Sequence, residues 1–144
     1  MLPNPIYVDT SAFYALMDRS DPNHLIAKAI WPNLLEDHIC LRTSNYTVFE
    51  SLNLIQYRLG YKAAYIWYRD ILGVLDVYWV DQAMHRLAHE LWMCLGRHQY
   101  TIVDCISYIV MNQNQIERVF SFKGTYAEQG FKLLSKTLDI ELIG

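Results

Sequence analysis

Apolar and polar positions along this chain switch repeatedly between the two-residue period of strands and the 3.6-residue period of helices. The short run Ile6-Tyr7-Val8, set between Pro5 and the polar Asp9-Thr10-Ser11, predicts a buried strand over residues 6–8. Residues 11–17 then read as a short helix. Asp21 followed by Pro22 offers an N-cap and a first-turn proline, and Leu25, Ile26, Ala29 and Ile30 form a helical face. A second helix is expected to about residue 35, with Pro32 kinking or ending it. Residues 39–41 resemble another buried strand. Thr43 or Ser44 caps the next helix, where Val48, Leu52 and Ile55 share one side and Glu50 lies on a different one.

Gly60 separates that helix from a partner over residues 62–72, the usual short-loop helical pair. Residues 74–80 are strand-like, and Asp81 caps a helix to about residue 95. Thr101 and Asp104 form a T-x-x-D capping pattern ahead of the apolar side Ile106, Ile109 and Val110. Residues 119–122 give a fourth strand and residues 139–143 a fifth. Strands alternating with helices indicate βαβ units joined by right-handed crossovers. The expected fold is α/β: a three-layer α/β/α sandwich around a central, mostly parallel sheet of four to five strands. At 144 residues, with no repeat and no low-complexity stretch, the chain reads as one domain over residues 1–144.

Composition narrows the partners. Apolar residues make up 53% and charged residues 19%, enough for a packed core, with a weakly polar periphery that favours self-association. A net charge of -3 excludes a protein that coats nucleic acid by bulk electrostatics, so any polynucleotide contact is local. Cys40, Cys94 and Cys105 form no C-x-x-C pair and read as buried thiols in a reducing compartment rather than disulfides. No secretory signal opens the chain and no apolar run approaches a membrane span, so the expected address is the cytoplasm.

The candidate chemistry is a trio of acids, Asp9, Glu50 and Asp104. Asp9 follows a strand, and in open α/β sheets ligands gather outside the carboxyl ends of strands. Carboxylates converging from separate elements are what a hard divalent cation requires. Each acid also has an ordinary role: Asp9 and Asp104 as helix caps, Glu50 as a solvated helix residue. His85 and His89, at i and i+4, lack an obvious third metal ligand and read as a solvated or partner-facing pair. Cys105, flanked by apolar residues, reads as packing rather than as a nucleophile. Tyr57, Tyr61, Tyr65, Tyr68 and Trp67, interspersed with Arg58, Lys62 and Arg69, suit a protein interface or core ahead of a base-stacking surface.

Four segments in order, Tyr7-Val8-Asp9-Thr10-Ser11-Ala12, Thr47-Val48-Phe49-Glu50, Thr101-Ile102-Val103-Asp104-Cys105 and Phe120-Ser121-Phe122 with Gln129-Gly130-Phe131, make the chain resemble PIN-domain nucleases. The similarity is greatest to the short toxins of VapBC-type toxin–antitoxin pairs. The resemblance implies a PIN-like fold and a metal-dependent endoribonuclease cleaving single-stranded or structured RNA. Asp9, Glu50 and Asp104 would bind Mg²⁺ or Mn²⁺ and Ser11 would orient Asp9 or a water. It further implies an RNA substrate, a homodimer, an antitoxin partner and no membrane association.

The chain departs from that pattern at Lys123, which stands where the family usually has a fourth acid. An ammonium about 6 Å from a divalent ion is repelled by roughly 5 kcal/mol at an effective dielectric near 20. Lys123 must turn away, replace a metal or disable one. The alternative function is therefore a weakened module that binds RNA or a protein partner; a purely structural subunit is the third class.

Overall fold

A computed structural model of the 144-residue chain describes residues 4–136, Asp139 and Ile143. Five strands, β1 (Ile6–Val8), β2 (Leu41–Ser44), β3 (Asp76–Tyr78), β4 (Arg118–Phe120) and β5 (Lys132–Leu134), form one sheet in the order β3-β2-β1-β4-β5. Every neighbouring pair is parallel. Between the strands run α1 (Thr10–Met17), α2 (His24–Glu36), α3 (Asn45–Leu59), α4 (Tyr61–Ile66), α5 (Gln82–Leu95), α6 (Ile102–Gln113) and the single turn α7 (Thr125–Glu128).

The alternation of side chains along the strands sorts the core into two layers. Ile6 and Val8 of β1, with Phe120 of β4 and Leu134 of β5, pack against α1, α2, α3 and α4. Tyr7 and Val119, pointing the other way, join Cys105, Ile106 and Met111 of α6, Met84 and Ala88 of α5, and Tyr126. Both faces are covered, so the central strand β1 is wholly buried and the sheet can be all parallel.

Order β3-β2-β1 on one side of the centre and β4-β5 on the other means the chain reverses its direction of growth between β1 and β4. Crevices outside the carboxyl ends of strands at such a reversal are where open α/β sheets bind ligands. Val8 pairs with Phe120 across it, so Asp9 and Ser121 emerge side by side.

Several expected boundaries move. The second helix starts at His24 with Asn23 as N-cap; Asp21 instead accepts the Asn23 amide at 2.8 Å in an Asx turn. Pro32 sits inside that helix, which runs on to Glu36. Strand β2 lies at Leu41–Ser44 rather than 39–41, because Thr43 and Ser44 are buried polar residues of the strand, Thr43 donating to the Val8 carbonyl at 3.0 Å. The helix expected over 62–72 is α4 followed by a π-turn, Trp67–Ile71, and a 3₁₀ turn, Leu72–Val74. The fifth strand is Lys132–Leu134, not 139–143; of that expected strand residues 140–142 lie outside the described residues. Asp81 and Ser44 cap α5 and α3 as anticipated. Among the described residues no helix is long and apolar enough to cross a membrane.

Candidate active site

Asp9 ends β1 and caps α1. Its backbone is extended at φ -103°, and its carboxylate is almost fully buried. Oδ1 accepts the Ser11 hydroxyl at 2.7 Å and the Ala12 amide at 3.2 Å; Oδ2 accepts the Ser121 hydroxyl at 2.8 Å. Burial outweighs these three bonds and pushes the Asp9 carboxyl up to about 6, with the nearby Asp104 charge adding to the rise. Ser11 thus bonds the Asp9 carboxylate, and its hydroxyl also accepts the Phe122 amide at 2.9 Å.

Asp104 is in the first turn of α6 and closes a reciprocal capping box with Thr101: its amide donates to the Thr101 hydroxyl and its Oδ2 accepts the Thr101 amide, both at 3.1 Å. The ordinary capping role expected of Asp104 is therefore present. The Lys123 ammonium lies on the same Oδ2 as a close ion pair, so the lysine turns inward rather than away. Asp104's side chain is 6% exposed and that of Lys123 33%.

Glu50 is half-buried on α3 and stands on the rim of an apolar groove of about 610 Å³ between α3, α5 and the start of α6. Tyr46, Phe49, His85, Trp92 and Val103 line this groove with it. His85 and His89 lie with ring centroids 4.2 Å apart, and the Tyr46 hydroxyl meets His85 Nδ1 at 2.6 Å. Among the described residues no three His, Cys, Asp or Glu side chains are close enough together to hold a metal ion. The charge of Asp104 reaches Asp9 and adds to the rise of its carboxyl, while Glu50 is not gathered with them into a ready-made cage.

Comparison with known proteins decides the family. The family model described as PIN domain matches residues 6–129. The chain belongs to the PIN domain family. VapC20 of Mycobacterium tuberculosis, named a 23S rRNA-specific endonuclease, is 30% identical over 129 residues, covering 88% of this chain and 95% of that protein; strains CDC 1551 / Oshkosh and H37Rv give the same match. The crystal structure of VapC20, described as a sarcin–ricin loop cleaving toxin, superposes with a TM-score of 0.73 at 30% identity over the same shares of the two chains. PIN-domain nucleases of this kind use divalent metal ions.

In this PIN domain the acids suit such an ion in kind. A carboxylate offers about four lone-pair positions. Asp9 spends three on Ser11, Ala12 and Ser121, leaving one on Oδ2, and Asp104 uses only Oδ2. Two hard oxygen donors remain beside a buried, cation-poor carboxylate, which is the donor chemistry a divalent ion takes.

Two features are not legible in the sequence, the bonds of Ser121 and a buried hydroxyl hub. Tyr7 donates to Ser44 at 3.1 Å, shares a bond with Thr47 at 2.9 Å and accepts from Ser107 at 3.0 Å, tying β1 to the start of α3 and the middle of α6. The only signal in the chain was a tyrosine inside an otherwise aliphatic strand. Two cysteine expectations need correcting: Cys94 is exposed and Cys40 half-buried, because each falls outside the sheet's covered faces. Cys105 is buried and its thiol is pushed up to about 11 by desolvation, which rules it out as the nucleophile.

Proposed function

We propose that this PIN domain is a metal-dependent endoribonuclease, the toxin of a toxin–antitoxin pair, using Mg²⁺ or Mn²⁺. The observation that carries the reading is Asp9 itself, buried and short of a cation at the sheet's reversal point, with the charge of Asp104 reaching it. The near full-length similarity to VapC20 supports it and makes a sarcin–ricin-type RNA stem-loop the first substrate to try.

Asp9 and Asp104 would hold the ion, with Glu50 moving in from α3 as the third carboxylate. When bound, such an ion polarises the scissile phosphate and lowers the pKa of water, so no side-chain nucleophile is needed. The chain's own residues do the positioning. Ser11 and Ser121 hold both Asp9 oxygens, and the Thr101 capping box holds Asp104. The capping and hydroxyl bonds fix the acids before substrate arrives, which limits reorganisation during reaction.

Antitoxin and homodimer partners fit the exposed aromatic surface of α3, α4 and the π-turn that follows, where Tyr57, Tyr61, Tyr65 and Tyr68 are each at least half exposed. Trp67 is buried against Phe13 and belongs to the core instead. A second reading, a weakened module acting by RNA or protein binding, draws on the Lys123–Asp104 ion pair.

The test is cleavage of a synthetic sarcin–ricin stem-loop with Mn²⁺ or Mg²⁺. Asp9→Ala and Asp104→Ala should each lower the rate by at least about 100-fold. Cleavage indifferent to both substitutions, or absent from the wild type while RNA is still retained, would favour the binding module.

A further inference from the structure

Lys123 is held to the acidic pocket at both ends. Its amide donates to the Ser121 hydroxyl at 3.0 Å, and that hydroxyl donates onward to Asp9 Oδ2 at 2.8 Å. The preceding amide, of Phe122, is tied to Ser11 at 2.9 Å. From this anchored loop the lysine side chain crosses to Asp104 and places its ammonium on Oδ2. One short segment, 121–123, therefore ties its backbone to Asp9 through two serine hydroxyls and places its charge on Asp104.

An exposed ion pair would mean little, because water and salt screen it. This pair differs: Asp104's side chain is 6% exposed while that of Lys123 retains 33% exposure, so the ammonium is seated on a buried carboxylate from a side chain that still reaches solvent. An ammonium carries three N–H donors, and Asp104 takes one. A divalent ion approaching Asp104 Oδ2 would meet a fixed like charge. The open lone pair of Asp9 and the other oxygen of Asp104 stay available to a single ion.

We propose that Lys123 supplies the second positive charge of the active site: its ammonium occupies the cation position at Asp104 Oδ2, restricts the pocket to one divalent ion, and uses its free donors to hold a non-bridging phosphate oxygen of the RNA. The inference rests on the ribonuclease reading above and assigns Lys123 as a substrate-positioning residue within it.

Calorimetric titration of the full chain with Mn²⁺ reads the stoichiometry without any turnover. The expected result is one ion per chain for the wild type and for Lys123→Arg, and two for Lys123→Asp, which exchanges the charge for a ligand. Two ions on the wild type, or one still on Lys123→Asp, overturns the proposal. Should Lys123→Asp fail to fold, steady-state cleavage by Lys123→Met at saturating Mn²⁺ decides. A KM for RNA raised about tenfold, restored in Lys123→Arg, supports the phosphate contact, and an unchanged KM refutes it. A wild type that cleaves RNA while binding two ions defeats only the role of Lys123; one that neither binds Mn²⁺ nor cleaves defeats the ribonuclease reading as well.

Discussion

Asp9 costs the folded protein stability in order to be where it is. Its folded carboxyl lies near 6, above the ordinary 3.8, because burial penalises the charged form. A raised acid gives stability that is fully present below about pH 4 and is lost as pH rises to about 6. In metal-free buffer at pH 7.5, Asp9→Asn should therefore be more stable than wild type by on the order of 1–3 kcal/mol, with the gap closing near pH 4. Urea unfolding at the two pH values checks this; equal stabilities at pH 7.5 would mean the carboxylate is not penalised. Ser121→Ala removes one of the bonds that favour the charged form, so the acidic limb of the cleavage–pH profile should move upward. An unmoved limb would exclude Ser121 from tuning Asp9. At this scale the sequence offers Asp9, Glu50 and Asp104 as candidates, and the caps at Asp9 and Asp104 are legible because a strand end and a capping box are local signals. It could not show which way Lys123 turns or what Ser121 touches, because those contacts join residues more than a hundred positions apart or on separate elements.

Among the elements, α6 matters most, since its first turn carries Asp104. It is pinned to β1 and α3 by the Tyr7 hydroxyl, which is fully buried and meets Ser44, Thr47 and Ser107. Tyr7→Phe leaves buried hydroxyls short of a partner and should cost about 1–3 kcal/mol in denaturant unfolding. A cost near zero would show that the hub contributes no net stability. Helices were legible where a cap and a period agreed, as at Asp81 with α5 and Thr101 with α6. Boundaries failed where polar residues are buried by tertiary contacts, as with Thr43 and Ser44 in β2, or where packing overrides a breaker, as with Pro32 inside α2. The three-residue β5 carried too little pattern to be separated from the turn that begins at Gly130, whose φ is +89°.

For the whole molecule, the alternation of strands and helices was enough to predict the parallel α/β/α architecture, and the order β3-β2-β1-β4-β5 turns that architecture into a site. The exposed tyrosines of α3 and α4 are the self-association surface proposed above; Tyr61 and Tyr65 stack at 6.3 Å. Replacing both by Asp should convert a dimer to a monomer in light scattering, and an unchanged mass would place the interface elsewhere. The central claim is that Asp9 and Asp104 share one divalent ion, with Glu50 joining them. Crystals of the wild type soaked in Mn²⁺ and measured at the manganese edge test it most directly. The expected anomalous map has one peak within bonding distance, about 2.1 Å, of carboxylate oxygens from Asp9 and Asp104. A map with no peak there, or with manganese bound only elsewhere on the protein, would contradict the account.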